Sequence, residues 1–314
     1  MMTSIQTLGG PHPARSIAVA DAHAHLWLQS EVDGNPVLHD EELALAELAD
    51  FASVGGSLVV DCQPGGAGRD ERVLMRLAQA STVAIVAATG FHLPRYYPPG
   101  KGVWSLSEQE AFDFFARELA SGMDLTPGVR AGVVKCAWTG KSSHEMGLMQ
   151  AALTAARQLD AGVVVHTEAG ARVEQLIRVI EACGVSPGRV QISHIDKRPE
   201  YSLHRDLARA GYVLGYDTFL RPKYDPERRV WPMLLRMVQE GLWTQITLGL
   251  DLVDSSQWYV RGGPGLRTIA KQLLPRLHQA GVSDTALQAL GGGNIARLLA
   301  RRHGRDRHHE EAPE

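Results

Sequence analysis

Two histidines separated by one residue, His23 and His25 in Asp21-Ala22-His23-Ala24-His25, open the set of residues in this chain whose types and spacing could do chemistry. On a strand, that spacing puts both imidazoles on one face. Further along, Lys135, His166, His194 and Asp251 each close a short apolar run of their own. A lone histidine at a strand end is ordinarily a hydrogen-bonded residue and nothing more. Several imidazoles and an aspartate, all so placed, are instead the ligand types of zinc and similar divalent ions. Lys135 discriminates further. An ammonium buried without a counter-ion is costly. A neutral amine can take up carbon dioxide as a carbamate, an anion whose two oxygens can bridge two metals. The competing possibility is a lysine that reaches solvent or pairs with a carboxylate. Cys136 is expected to face away from the site by strand alternation.

Ligands this far apart in sequence meet only if the fold gathers strand ends. The β-like runs are 16–20, 57–60, 83–88, 132–134, 162–165, 189–193, 212–216 and 245–250. They end at Asp21, Asp61, Thr89-Gly90, Lys135, His166, His194, Asp217 and Asp251. Most are continuously apolar, as strands buried on both faces are. Helical patterns lie between them over 40–51, 107–119, 146–159, 173–182, 199–209, 226–240 and 266–280. Ser107 with Glu110 three residues on is a capping-box signature, and Gly211, Gly241 and Gly281 follow helical stretches as closing glycines do. Eight alternations without an internal break give an α/β fold, a closed (β/α)8 TIM barrel. Such a barrel collects the C-terminal ends of its strands into one mouth. No Gly-x-Gly-x-x-Gly follows the first run, which argues against a dinucleotide fold.

The 314 residues are expected to form one barrel domain over 1–314, with a frayed tail, rich in charge and histidine, over 302–314. A composition of 44% hydrophobic and 21% charged residues is that of an ordinary globular protein. A net charge of -3 gives no electrostatic case for nucleic acid or an anionic membrane as partner. Cys62, Cys136 and Cys183 are odd in number and widely spaced, so reduced packed thiols are expected rather than a disulfide framework or a zinc knuckle. With no apolar leader in 1–14 and no run long enough to span a bilayer, the expected location is the cytoplasm.

Around these ligands, the chain resembles the phosphotriesterase-like family of the amidohydrolase superfamily over nearly its whole length. The resemblance is carried by the ligands and by Ala88-Thr89-Gly90-Phe91-His92, Gly132-Val133-Val134-Lys135, Val165-His166-Thr167-Glu168, Ser193-His194, Tyr216-Asp217-Thr218-Phe219, the late Gly262-Gly263-Pro264-Gly265 and the closing Gly293-Asn294-Ile295-Ala296-Arg297. Two departures stand out: Ala24 where the family commonly has glutamate, and Ile295 where proline is usual. The resemblance implies two divalent metal ions, zinc first, with manganese, cobalt or iron as options. His23, His25 and Asp251 would hold one, His166 and His194 the other. A carboxylated Lys135 and a hydroxide would bridge them. Two cations acidify a shared water, polarise a substrate oxygen and steady the developing oxyanion, and Asp251 is the natural proton shuttle. A homodimer is expected on the same ground.

The loops after the seventh and eighth runs bear on the substrate. One reads Asp217-Thr218-Phe219-Leu220-Arg221-Pro222-Lys223-Tyr224, the other Gln257-Trp258-Tyr259-Val260-Arg261-Gly262-Gly263. Cations and phenols beside a glycine-rich helix start suit an anion, although solvated surface charges would look the same. The expected substrate contacts are His92, Asp217, Arg221, Lys223, Tyr224, Tyr259 and Arg261. These loops resemble the sugar-lactonase branch, which implies hydrolysis of a small-molecule sugar lactone, phosphorylated or otherwise acidic. The alternatives are an organophosphate hydrolase, an N-acyl amidase, a single-metal deaminase with Glu168 as the acid, and a noncatalytic small-molecule-binding barrel. Asp61 is expected to be structural or to support the ligands from behind, Asp21 to orient an imidazole or cap the strand end, Trp27 to wall the pocket or pack in the core, and Tyr96 and Tyr97 to form a loop over the mouth or a subunit contact.

Overall fold

The computed structural model describes residues 3–302. Eight parallel strands follow one another in sequence order around a barrel: β1 (Val19–Ala24), β2 (Gly56–Asp61), β3 (Ala84–Gly90), β4 (Val133–Trp138), β5 (Gly162–Thr167), β6 (Val190–Ser193), β7 (Val213–Tyr216) and β8 (Ile246–Leu248). The expected (β/α)8 architecture is borne out. The seam between β8 and β1 is tied by the Asp251 N–H, which donates to the His23 carbonyl at 2.9 Å, and by the Leu250 N–H, which donates to Asp21 Oδ1 at 3.3 Å. Two ligand-bearing residues therefore take part in closing the barrel.

Strand alternation sorts side chains into two layers. Leu58, Val60, Val86, Ala88, Val133 and Val164 point inward and pack on one another, with Ile5, Ile17, Ile295 and Leu298 plugging the base. Val59, Ile85, Val134, Cys136, Val163 and Val165 face outward to the helices. Above the inward aliphatic layer lies a polar one, where Gln191 receives the Thr247 hydroxyl at 3.0 Å and donates to Ser193 Oγ at 3.0 Å. Lys135 and His166 continue the inward-facing parity of Val133 and Val164.

The surrounding helices are α1 (Glu41–Ser53), α2 (Glu71–Ala80), α3 (Glu108–Ala120), α4 (Ser143–Gln158), α5 (Val173–Ala182), α6 (Tyr201–Arg209), α7 (Val230–Gln239) and α8 (Leu274–Gln279). The capping box of Ser107 and Glu110 forms as expected. Helix α2 is absent from the sequence reading. Its clearest signal is Asp70, whose carboxylate accepts from the Arg72 and Val73 N–H groups. The single helix expected over 266–280 is split. Pro275 has no N–H to donate, and the preceding turn widens into a π segment in which the Leu274 N–H reaches the Ile269 carbonyl. A further antiparallel sheet, unforeseen, pairs Thr3–Thr7 with Gly10–Pro13 and Thr3 with Arg302. The chain is thus held in register through Arg302, and the rest of the expected tail lies outside the described residues. Among the described residues, no helix is long and apolar enough to cross a membrane, and all three cysteines are free.

Candidate metal centre and pocket

Strand bounds set the ligand positions. β1 starts later than its apolar run and carries His23 within it, while β4 runs past Lys135 to Trp138. Polar residues are admitted inside these strands because their inward ends open on the mouth. Close approach is secured by two glycines. Gly90 pairs with Lys135 in register at φ +108°, and a Cβ there would overlap the Lys135 carbonyl oxygen. At Gly249 a Cβ would come within 2.9 Å of His23 Cβ. His194 and Asp251 themselves sit at φ 61° and 50°, a backbone region sparsely used by residues with a side chain and common where function dictates geometry.

All six expected ligands converge. Lys135, wholly buried, brings Nζ to 3.1 Å from His23 Nε2. Asp251 Oδ1 lies 3.8 Å from His23 Nε2 and 3.6 Å from His25 Nε2. His194 Nε2 lies 2.9 Å from His166 Nδ1. Ala24 packs outward, which explains why its departure from glutamate leaves the mouth untouched.

The rings are held from outside. Asp217 Oδ1 takes His194 Nδ1 at 2.7 Å while its Oδ2 accepts the His194 backbone N–H at 3.2 Å. Asp217 is fixed in turn by Asp196, whose Oδ2 accepts the N–H groups of Asp217 and Thr218 and the Thr218 hydroxyl. Glu168 Oε1 stands 3.1 Å from His166 Nε2. Asp61 accepts the N–H groups of Leu26 and Gln63, fixing the chain just after His25. Asp21 does not orient an imidazole: it accepts the His23 and Leu250 backbone N–H groups, which ties the barrel seam.

Burial pushes His23, His92 and His194 well below the usual histidine range, and His166 to about 3. Neutral rings are the ligating form. Burial, with the charge of Asp251, lifts Asp217 to about 7. Burial alone would raise Asp251 too, but the surrounding imidazoles, His194 first, hold its carboxyl well below the carboxylate range.

This donor set fits a metal pair. His23, His25 and Asp251 form one group whose ligating atoms lie within 4.8 Å of one another. His166 and His194 turn toward each other the nitrogens their carboxylate partners leave free, an arrangement that two neutral rings satisfy by sharing a cation.

Above the ligands opens a cavity of about 250 Å³. His92, Arg221, Lys223 and Tyr224, all expected as substrate contacts, line it, and so do Arg95, Lys197 and Gln63, which sequence reasoning passed over. Arg221 donates to the Asp251 carbonyl and, at 3.2 Å, to its Oδ2. Lys197 and Lys223 place their ammonium groups 5.5 and 4.9 Å from the centre of the Tyr224 ring. His92 Nδ1 accepts the Leu93 N–H at 2.7 Å, so in the neutral ring the proton sits on Nε2. Its face meets Tyr96 at 4.2 Å between ring centres. Tyr97 is buried instead, its hydroxyl accepting the His92 N–H.

Three expected contacts are placed elsewhere. Asp217 lies beneath the cavity, since its carboxylate is spent on His194. Tyr259 and Arg261 are outside the lining, and Tyr259, 46% exposed, faces the Arg267 guanidinium at 3.9 Å.

Comparison with known proteins gives this geometry a family. Over 328 residues the chain is 26% identical to a phospho-furanose lactonase of Mycoplasmopsis synoviae, covering 94% of this chain and 91% of that protein. It is 27% identical over 288 residues to the N-acetyltaurine hydrolase of Bos taurus, covering 84% and 80%. The crystal structure of a lactonase from Listeria monocytogenes superposes with a TM-score of 0.87 at 23% identity, covering 94% of this chain and 98% of that one, and so shares the fold. The sequence profile described as the Phosphotriesterase family matches residues 3–299, and the chain belongs to that family.

Proposed function

We propose that this protein is a binuclear metal-dependent lactonase that opens an anionic sugar lactone. The observation that carries this reading is the convergence of His23, His25, Lys135, His166, His194 and Asp251 beneath a cavity rimmed by Arg95, Lys197, Arg221 and Lys223. The phospho-furanose lactonase named above supports the substrate class. Zinc is the proposed metal, because the set is rich in imidazole. Lys135 is proposed to be carboxylated. Its buried amine, 3.1 Å from His23 Nε2, stands where a bridging anion is needed.

Bound there, two divalent ions supply an acidified water as nucleophile and a Lewis acid for the lactone carbonyl. The protein does the rest. Asp251 accepts the nucleophile's proton at its carboxylate and returns it to the departing alkoxide oxygen, so that its carboxylate is regenerated in each turnover. Arg221 holds that carboxylate through Oδ2. His92 offers Nε2–H as a neutral donor to a substrate oxygen. Lys197 and Lys223, splayed over Tyr224, draw the substrate's anionic group to one side of the cavity.

A second reading, an amidase for N-acyl compounds bearing an acidic group, is favoured by the bovine relative and by the same cationic rim. Both are tested by a screen of metal-loaded protein in which a pH indicator reads the acid released from phosphorylated and neutral lactones and phosphotriesters, and an amine-reactive dye reads the amine released from N-acyl amino acids and sulfonates. The expected result is a kcat/KM for phosphorylated lactones at least tenfold above that for neutral ones, about 1.4 kcal/mol. Turnover confined to N-acyl compounds selects the amidase. No turnover with two metals bound makes the protein a binder.

A further inference from the structure

His166 and His194 are expected to share a metal, yet they present different nitrogens to it. His194 turns Nε2 inward because Asp217 occupies Nδ1. His166 turns Nδ1 inward, and the atom occupying its other nitrogen is Glu168 Oε1 at 3.1 Å. A carboxylate can only accept, so the ring proton of His166 is on Nε2 and Nδ1 is left as a lone pair. Glu168 is no freely moving surface acid. The Thr167 hydroxyl before it donates to the Ser193 carbonyl at 2.9 Å and accepts the Gly170 N–H at 3.0 Å. Ala169 after it turns the chain at φ 54°. From across the mouth, Arg95 Nη2 reaches the same Oε1 at 3.2 Å. The loop after β3 thus braces the loop after β5.

We infer that Glu168 is a positioning residue: it selects the His166 tautomer that ligates through Nδ1, with Arg95 as its brace. This rests on the metal-centre reading, but the tautomer itself is a property of the metal-free protein and can be measured there. Arg95, engaged with Glu168, is then part of the pocket wall rather than a cation free for substrate. Outer partners of ligating histidines are worth about ten- to a hundredfold in metal affinity, and that is the size expected here. An exposed ion pair adds little to stability, so the fold is expected to tolerate changes at Glu168.

The test compares wild type with Glu168→Ala and Glu168→Gln. Long-range ¹H–¹⁵N correlation of the imidazoles in chelator-treated protein at pH 7.5 reads the His166 tautomer. Zinc affinity of both sites is read by chelator competition with metal analysis, and the Co(II)-substituted forms by their visible spectra. In wild type His166 is expected as the Nε2–H form. Glu168→Ala should mix the tautomers, weaken one of the two sites by tenfold or more and alter the cobalt spectrum. Glu168→Gln should restore all three, because its amide oxygen still accepts from Nε2–H. The inference is overturned if Glu168→Ala keeps the wild-type tautomer and both affinities, or if Glu168→Gln is as defective as Glu168→Ala. Wild-type protein that takes up fewer than two metals but shows the Nε2–H tautomer lost in Glu168→Ala would reject the binuclear reading and leave the tautomer selection standing.

Discussion

Replacing Asp217 by asparagine separates two roles that its position allows, contact with substrate and control of His194. The carboxylate satisfies two donors on one residue, the His194 ring at 2.7 Å and its backbone N–H at 3.2 Å. Asparagine has one acceptor and cannot serve both. If its oxygen stays on the ring, the amide NH₂ opposes the backbone N–H, leaving a buried donor unpaired at about 1–3 kcal/mol. If the amide flips, the ring must accept at Nδ1, and its proton moves to Nε2, the nitrogen that faces His166. Either way, the cost falls on holding the metal. The expected loss is about ten- to a hundredfold in affinity at the His166/His194 site, or about 1.4–2.8 kcal/mol. Chelator competition on Asp217→Asn measures it directly, and saturating metal should recover much of the activity at a nearly unchanged KM. Unchanged metal affinity with a raised KM would refute this reasoning and return Asp217 to the substrate contacts.

Lys223→Ala and Arg261→Ala test where the anion sits. The cavity lining predicts that Lys223→Ala raises KM for a phosphorylated lactone by about tenfold, while Arg261→Ala, outside the lining, leaves it near wild type; steady-state kinetics on both variants decides. Gly90→Ala should destabilise the protein by more than the 1–3 kcal/mol or so that a strained φ alone costs, because its Cβ would meet the Lys135 carbonyl at φ +108°; a urea midpoint equal to wild type would contradict this. Asp196 gives the pH dependence. Burial raises it from 3.8 to about 8, so the stability it contributes is complete below 3.8 and is lost as pH rises through 8. Asp196→Asn keeps an acceptor for Asp217 and Thr218 and removes the titration. In chelator-treated protein the variant should gain on wild type from pH 5 to 8 by up to about 1.4 kcal/mol per pH unit, measured by urea unfolding at each pH.

The barrel was legible because each of its strands is an apolar run closed by a polar residue, and the ligands were legible because a histidine or lysine at such a place has few ordinary uses. What escaped was decided by tertiary contact. The alternation of β4 places Lys135 inward correctly, but no local pattern tells that the strand runs on to Trp138. Asp217, next to Thr218 and near a run of cations, looks like a loop contact; only the left-handed turn at His194 brings that ring onto its carboxylate. Arg261 and Lys223 look alike in sequence, yet one lines the cavity and the other does not. Helix α2 is the exception: Val73, Leu74 and Leu77 stand at helical spacing behind the Asp70 cap, a signal that was there to read. The basal sheet, with Gly10, Pro11 and Pro13 in one strand, carries no such signal.

The central claim is that six side chains gather two cations around one activated oxygen. Anomalous diffraction from crystals grown with zinc, collected on both sides of the zinc edge, tests it most directly. The account predicts two zinc peaks, one among His23, His25 and Asp251, the other between His166 Nδ1 and His194 Nε2, with continuous density from Lys135 Nζ to both. A single peak, or two peaks with an unmodified Lys135 amine turned away from them, would contradict it.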